Sequence, residues 1–261
     1  MNGYLYGGLA DVGWKRELNE DAINVKEFGD DVLFAVIADG AGSKNGRMLQ
    51  PAKIAIDEVT KVIGRIHDAD PKALRDNAEL IVQEAIMTAN RVLSAFRIAN
   101  EELYAGFGTT ITIVLIFDDN EMVFGHVGNN QLMLVRESKT KDVHIPRILT
   151  KEMTKAKEEL DQGIIRPDMF DTHPDRMVIT SVLGWYTEPE IQVFSMTLKP
   201  RDFVILTTDG IHYAIRPEPL AQIVLDSGNC DDAVANLVEA AKKQNYSDNM
   251  SAIVLFNNRN E

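Results

Sequence analysis

A single cysteine, Cys230, stands in a chain of 261 residues. No internal disulfide can form and no cysteine-rich zinc site can be built, which fits a reducing cytosol. A basic stripe is missing too. The formal charge is −13, and binding to nucleic acid needs clustered Lys and Arg, so no nucleic-acid partner is expected. No apolar run approaches the length of a membrane span, and the opening Met1-Asn2-Gly3-Tyr4-Leu5-Tyr6 has no basic segment ahead of an apolar stretch. Those absences argue against export and membrane insertion, and a cytoplasmic location is the expectation. Internal repeats and low-complexity tracts are lacking as well.

What remains is an ordinary globular composition, 45% apolar and 26% charged, long enough for one sizeable core. Short apolar runs at Tyr4 to Val12, Ala22 to Lys26 and Val32 to Ala38 read as strands between Gly, Asn and Asp turns. From Met48 onward the period changes to three and four residues, with Ala52, Ala55, Ile56, Val59, Ile63 and Ile66 on one helical face. A second long helix is predicted from Asp70 as N-cap and Pro71 at the first helical position, running through Leu74, Ala78, Ala85 and Leu93 to Phe96. Strands resume at Thr109 to Phe117, Glu121 to Val127 and Gln131 to Val135. Residues Lys151 to Arg176 are charged and loop-like, with a short helix over Lys151 to Leu160. Two more strands, Ile191 to Leu198 and Phe203 to Thr207, are followed by helices at Pro219 to Leu225 and Asp232 to Lys243, then a strand at Met250 to Phe256. This order predicts packed sheets with helical layers outside.

Four short acidic segments lie at the edges of those apolar runs: Asn19-Glu20-Asp21, Asp39-Gly40, Thr208-Asp209-Gly210 and Ser247-Asp248-Asn249. Each strand could carry one carboxylate to a shared point. Such a cluster repels itself unless cations sit inside it, so the pattern points to hard divalent ions and to hydrolysis at phosphate. Any one of these acids alone is ordinary turn chemistry; the joint pattern carries the reading.

The order and spacing of the motifs resemble the metal-dependent protein phosphatases of type 2C, over nearly the whole chain. Asp11-Val12-Gly13-Trp14-Lys15-Arg16-Glu17-Leu18-Asn19-Glu20-Asp21 looks like the opening motif. It is followed by Phe34 to Gly42, Gly108-Thr109-Thr110, Ser181-Val182-Leu183-Gly184, Leu206 to Gly210 and Ser247 to Ser251. Gly163-Ile164-Ile165 with Thr172-His173-Pro174-Asp175-Arg176 is similar to the flap of the bacterial branch. The resemblance implies an α+β fold, a four-layer αββα sandwich with two central antiparallel sheets flanked by helices. It also implies a single domain over residues 1–258 with a flap at about 151–178, and a short tail at 259–261.

It further implies two Mn²⁺ or Mg²⁺ ions, one held by Glu20, Asp39 and the Gly40 carbonyl, the other by Asp39, Asp209 and Asp248. Asp39 would bridge them, and a shared water would attack phosphorus with no covalent intermediate. Arg16 is expected to grip the substrate phosphate, its fork matching two oxygens; the bland alternative is a surface ion pair. Asp21 reads as support behind the ligands. Gly108-Thr109-Thr110 reads as strand packing, and Trp14 and Trp185 as packing or rim residues. None of the five histidines is offered as a metal ligand.

Several positions depart from the family pattern. Asn129, in Gly128-Asn129-Asn130-Gln131, and Tyr213 both stand where acids serving a third metal are common, so that third ion is expected to be weak or absent. Ala41 replaces a histidine linked to protonation of the leaving alcohol, so water or the substrate must supply that proton. Thr150-Lys151-Glu152-Met153-Thr154 lacks an Asp-His pair after the first threonine. The expected function is a phosphatase acting on phosphoserine or phosphothreonine of a protein partner, possessing no nucleic-acid or membrane partner and serving opposite a Ser/Thr kinase or on one regulatory protein. The alternative is a weak or inactive phosphatase-fold module that binds a phosphorylated partner.

Overall fold

A computed structural model describes residues 3–42, 50–99, 106–136 and 145–259. The expected helix start at Met48 and the last two residues of the expected tail lie outside the described residues. Three strands open the chain: β1 (Tyr4–Asp11), β2 (Asp21–Phe28) and β3 (Val32–Ala41). The helices α1 (Pro51–Ala69), α2 (Pro71–Asp76) and α3 (Ala78–Ala99) follow. Next come β4 (Gly108–Thr109), β5 (Ile111–Phe117), β6 (Glu121–Val127), β7 (Gln131–Arg136) and β8 (Ile145–Ile148). Two short helices, α4 (Lys155–Asp161) and α5 (Pro167–Phe170), precede β9 (Gln192–Thr197) and β10 (Phe203–Thr207). The chain closes with α6 (Asp209–His212), α7 (Pro217–Leu225), α8 (Cys230–Lys243) and β11 (Met250–Asn257).

The strands form two antiparallel sheets, ordered β1-β11-β10-β7-β8 and β2-β3-β5-β6-β9, with β4 paired to β3. Strand β3 shows why both faces must be covered. Leu33, Ala35 and Ile37 point into an inter-sheet core with Leu134, Leu206 and Ile253, while Phe34, Val36 and Ala38 alternate onto α1 and α3. Every residue from Val32 to Ala38 is therefore out of solvent, which its unbroken apolar run required. On the far side, Ile205, Ala252 and Val254 pack against Leu220, Val234 and Leu237 of α7 and α8. Four layers result, α-β-β-α.

The second long helix predicted by periodicity is interrupted. Asn77, with φ −126° and ψ 25°, ends α2, and its side-chain amide donates to the Ala73 carbonyl at 3.1 Å. That bond competes with helix continuation, and α3 restarts at Ala78. Asp70 does cap α2, accepting from the Ala73 amide at 3.0 Å. Strand β8 and the helices α5 and α6 were not predicted; all are short, and four residues carry too little periodicity to register.

Candidate metal centre

The acidic segments meet at one end of the sandwich. Asp39 lies at the end of β3, with Asp21 directly across from it at the start of β2, and Gly40 donates its amide to the Glu20 carbonyl at 3.2 Å. Asp209 opens α6 immediately beyond β10, and Asp248 precedes β11. Side chains around them fix these termini. The Thr109 hydroxyl donates to the Asp39 carbonyl at 2.8 Å, and the Asp39 amide donates to the Thr110 hydroxyl at 3.0 Å. Asn249 ties the turn before β11 to the β1–β2 loop, accepting from the Glu20 amide and donating to the Val12 and Leu18 carbonyls, each at 2.9 Å. A side chain at Gly210 would collide with the Asn249 carbonyl, 1.8 Å from where its Cβ would stand, so only glycine lets these turns close.

Burial, then the neighbouring charges of Asp21, Asp209 and Asp248, hold the Asp39 carboxyl well above the usual range. Burial and Asp248 push Asp209 up to about 7, against the Asn129 hydrogen bond. Asp21, backing the centre and accepting from the Thr208 hydroxyl at 2.8 Å, is pushed by burial up to about 6. These shifts are those of carboxylates buried, and then crowded, without enough positive charge. Two of the acids lean on other partners: Asp248 Oδ2 accepts from Arg16 Nη2 at 2.9 Å, and Asp209 Oδ2 from Asn129 Nδ2 at 3.2 Å. Among the described residues, accordingly, no three His, Cys, Asp or Glu side chains are drawn into a closed cage for one ion.

The donor set nevertheless fits a hard cation. Asp209 Oδ1 and Asn129 Oδ1 are buried and find no hydrogen-bond partner among the described residues, an arrangement that costs free energy unless a ligand satisfies it. All the converging donors are oxygens, suited to Mg²⁺ or Mn²⁺. Arg16 stands at the rim, about half exposed, with Nε donating to the Ser247 carbonyl at 3.2 Å. Burial works against its charge, but Asp248, Glu20 and Asp39 outweigh it and raise its pKa.

Sequence reasoning assigned Thr109 and Thr110 to strand packing; the structure adds that their hydroxyls hold the backbone of Asp39. Asn249 escaped notice because an Asn after an Asp reads as turn chemistry. Trp185 packs its indole against Gly108, while Trp14 donates Nε1 to the Tyr246 carbonyl at 3.0 Å at the exposed rim. His173 serves its own loop, Nδ1 accepting from the Asp175 amide at 3.2 Å. Ala41, with Asp39, Thr110, Met177, Ile179 and Trp185, lines a largely apolar groove of about 320 Å³ that opens beside the acids.

Two stacked antiparallel sheets between helices, with acids from separate strand ends converging beside an arginine, define a phosphatase architecture, and comparison with known proteins agrees. The family model described as protein phosphatase 2C matches residues 15–254. The chain belongs to that family and is a Ser/Thr protein phosphatase. It is 25% identical to the protein phosphatase PhpP of Streptococcus pneumoniae, over 97% of each chain. The fold is shared with the crystal structure of a bacterial serine phosphatase at a TM-score of 0.85 and 22% identity, over 98% of each chain. It is shared likewise with the catalytic domain of the phosphatase PstP in complex with two manganese ions, at a TM-score of 0.77 and 22% identity over 97% of each.

Proposed function

We propose that this phosphatase works with two Mn²⁺ or Mg²⁺ ions, using residues 1–258 as one catalytic domain with the segment at about 151–178 as its flap. Glu20, Asp39 and the Gly40 carbonyl would hold one ion, and Asp39, Asp209 and Asp248 the other, with Asp39 shared. The observation that carries this reading is that Asp39, Asp209 and Asp248 lie close enough to raise one another's pKa, with a buried Asp209 oxygen that has no hydrogen-bond partner among the described residues. The manganese ions of PstP support it. When bound, the ions supply a water of lowered pKa and positive charge at the phosphoryl oxygens.

The chain's own residues do the rest. Arg16 exchanges its bond to Asp248 for the entering phosphate, whose charge it offsets in an acidic mouth. Asp21, Thr109, Thr110 and Asn249 keep Asp39 and Glu20 in place. Ala41 has no proton to give, so the leaving alcohol takes its proton from water or from the substrate itself. The substrates are phosphoserine and phosphothreonine segments of cytoplasmic proteins, phosphorylated by a partner Ser/Thr kinase. Among the described residues no helix is long and apolar enough to cross a membrane.

Steady-state kinetics on phosphothreonine, phosphoserine and phosphotyrosine peptides test this proposal. Release from the first two is expected, and Arg16→Ala should lower kcat/KM on them by about 10²- to 10³-fold, as loss of a charge-stabilising donor does. Phosphopeptide binding with no release under either metal would instead support a binding module.

A further inference from the structure

The groove of about 320 Å³ beside the acids has no part in the two-ion chemistry, yet Asp39 forms a piece of its wall. Arg16, Glu20, Asp209 and Asp248 do not line it, so it leads away from the metal centre on the Asp39 side. Backbone pairing fixes its walls. Leu183 donates its amide to the Thr109 carbonyl at 2.9 Å and accepts the Thr109 amide at 3.2 Å, while Lys155 donates to the Val178 carbonyl at 2.9 Å. The Trp185 indole lies flat against the strand, its Nε1 2.7 Å from where a Gly108 Cβ would stand. A cleft held in this way needs little reordering to receive a ligand.

The lining selects what can enter. Among the described residues Asp39 is the only charged group in it, and the hydroxyls of Thr109 and Thr110 are already engaged. Thr109 Oγ1 donates to the Asp39 carbonyl at 2.8 Å; Thr110 Oγ1 accepts the Asp39 amide at 3.0 Å and donates to Asn130 Oδ1 at 3.1 Å. A charged or amide side chain entering here would shed its water without gaining a partner. An apolar one would cover Met177, Val178 and Trp185, each close to half exposed although large and apolar. Resting on the phosphatase reading above, we propose that this groove is a specificity site, which takes an apolar side chain of the phosphoprotein one or two positions to one side of the phosphorylated serine or threonine. Continuity with the metal centre sets that short spacing: the groove begins at Asp39, and each residue of an extended chain advances by only about 3.3–3.6 Å. Val178 and Trp185 are then the residues that determine specificity.

The test is kcat/KM of the full chain at saturating Mn²⁺ on phosphothreonine peptides that carry leucine, serine, lysine or glutamate in turn at each flanking position. An aryl phosphate, which has no flanking residues, reports the chemistry alone. Leucine should exceed the other three by about 10- to 100-fold at a position on one side of the phosphothreonine. Trp185→Ala should flatten that preference, chiefly through KM, as loss of uniform binding does. Val178→Glu, a change at an exposed side chain that serves if Trp185→Ala does not fold, should rank lysine above leucine at the same position. Each variant is read as a ratio between peptides, so a general loss of activity cancels. Wild-type turnover that is indifferent to the flanking residues, or a leucine preference that survives both variants, overturns this proposal alone. Failure to release phosphate from the aryl phosphate and from every peptide under Mn²⁺ overturns the two-ion reading and this inference together.

Discussion

Asp209 shows how one residue connects chain, fold and chemistry. Its place at the turn from β10 into α6 buries it, and burial beside Asp248 raises its pKa to about 7; one oxygen is tied by Asn129 and the other has no partner among the described residues. Asp209→Asn keeps the shape and removes the charge. It should lower kcat at saturating Mn²⁺ by at least about 100-fold while far-ultraviolet circular dichroism stays unchanged; near-normal turnover would show that Asp209 is no ligand. The acids were legible in the sequence because four of them recur at strand edges in ordered motifs. The residues that hold them were not. Asn249 bonds to Val12, Leu18 and Glu20, more than two hundred positions away, and Arg176 reaches Tyr213, 37 positions on, only once the chain between them has folded. Pairings of that kind are set by topology and leave no local periodicity.

Among the elements, strands β5 and β6 carry a feature whose effect is on stability. Thr112 and His126 face each other across the pair; His126 Nδ1 lies 2.9 Å from the Thr112 hydroxyl and Nε2 lies 3.0 Å from the Gly128 carbonyl. Nε2 therefore carries the proton and donates, leaving Nδ1 to accept. Burial pulls the His126 pKa down to about 4. The folded protein holds this ring neutral at pH values where the unfolded chain protonates it, so the stability it lends is complete above about pH 6.5 and is lost as the pH falls towards 4. Denaturant melts should show this as a loss of up to about 3 kcal/mol across that window, with a flatter dependence in His126→Asn. An equal slope in both proteins would place the acid sensitivity elsewhere. Strands with both faces covered, such as β3, were readable from their unbroken apolar runs. The break between α2 and α3 was not, since Asn77 sits in an otherwise continuous helical pattern and only its bond back to Ala73 reveals the stop.

At the scale of the whole molecule, a chain of net charge −13 gathers several of its acids at one end of the sandwich. The metal-free centre therefore stores repulsion that divalent ions relieve, and millimolar Mn²⁺ should raise the melting temperature. Asp39→Ala, which removes the carboxylate proposed to serve both ions, should lose most of that rise; shifts of equal size in the two proteins would mean that Mn²⁺ binds elsewhere. The central claim, that this end of the fold hydrolyses phosphate through divalent ions held by strand-end carboxylates, is tested most directly by phosphate release from a phosphothreonine peptide in the presence of Mn²⁺, Mg²⁺ or chelator. The account expects release with metal, none with chelator, and recovery when metal is restored. Release that persists in chelator, or none under either metal, would contradict it.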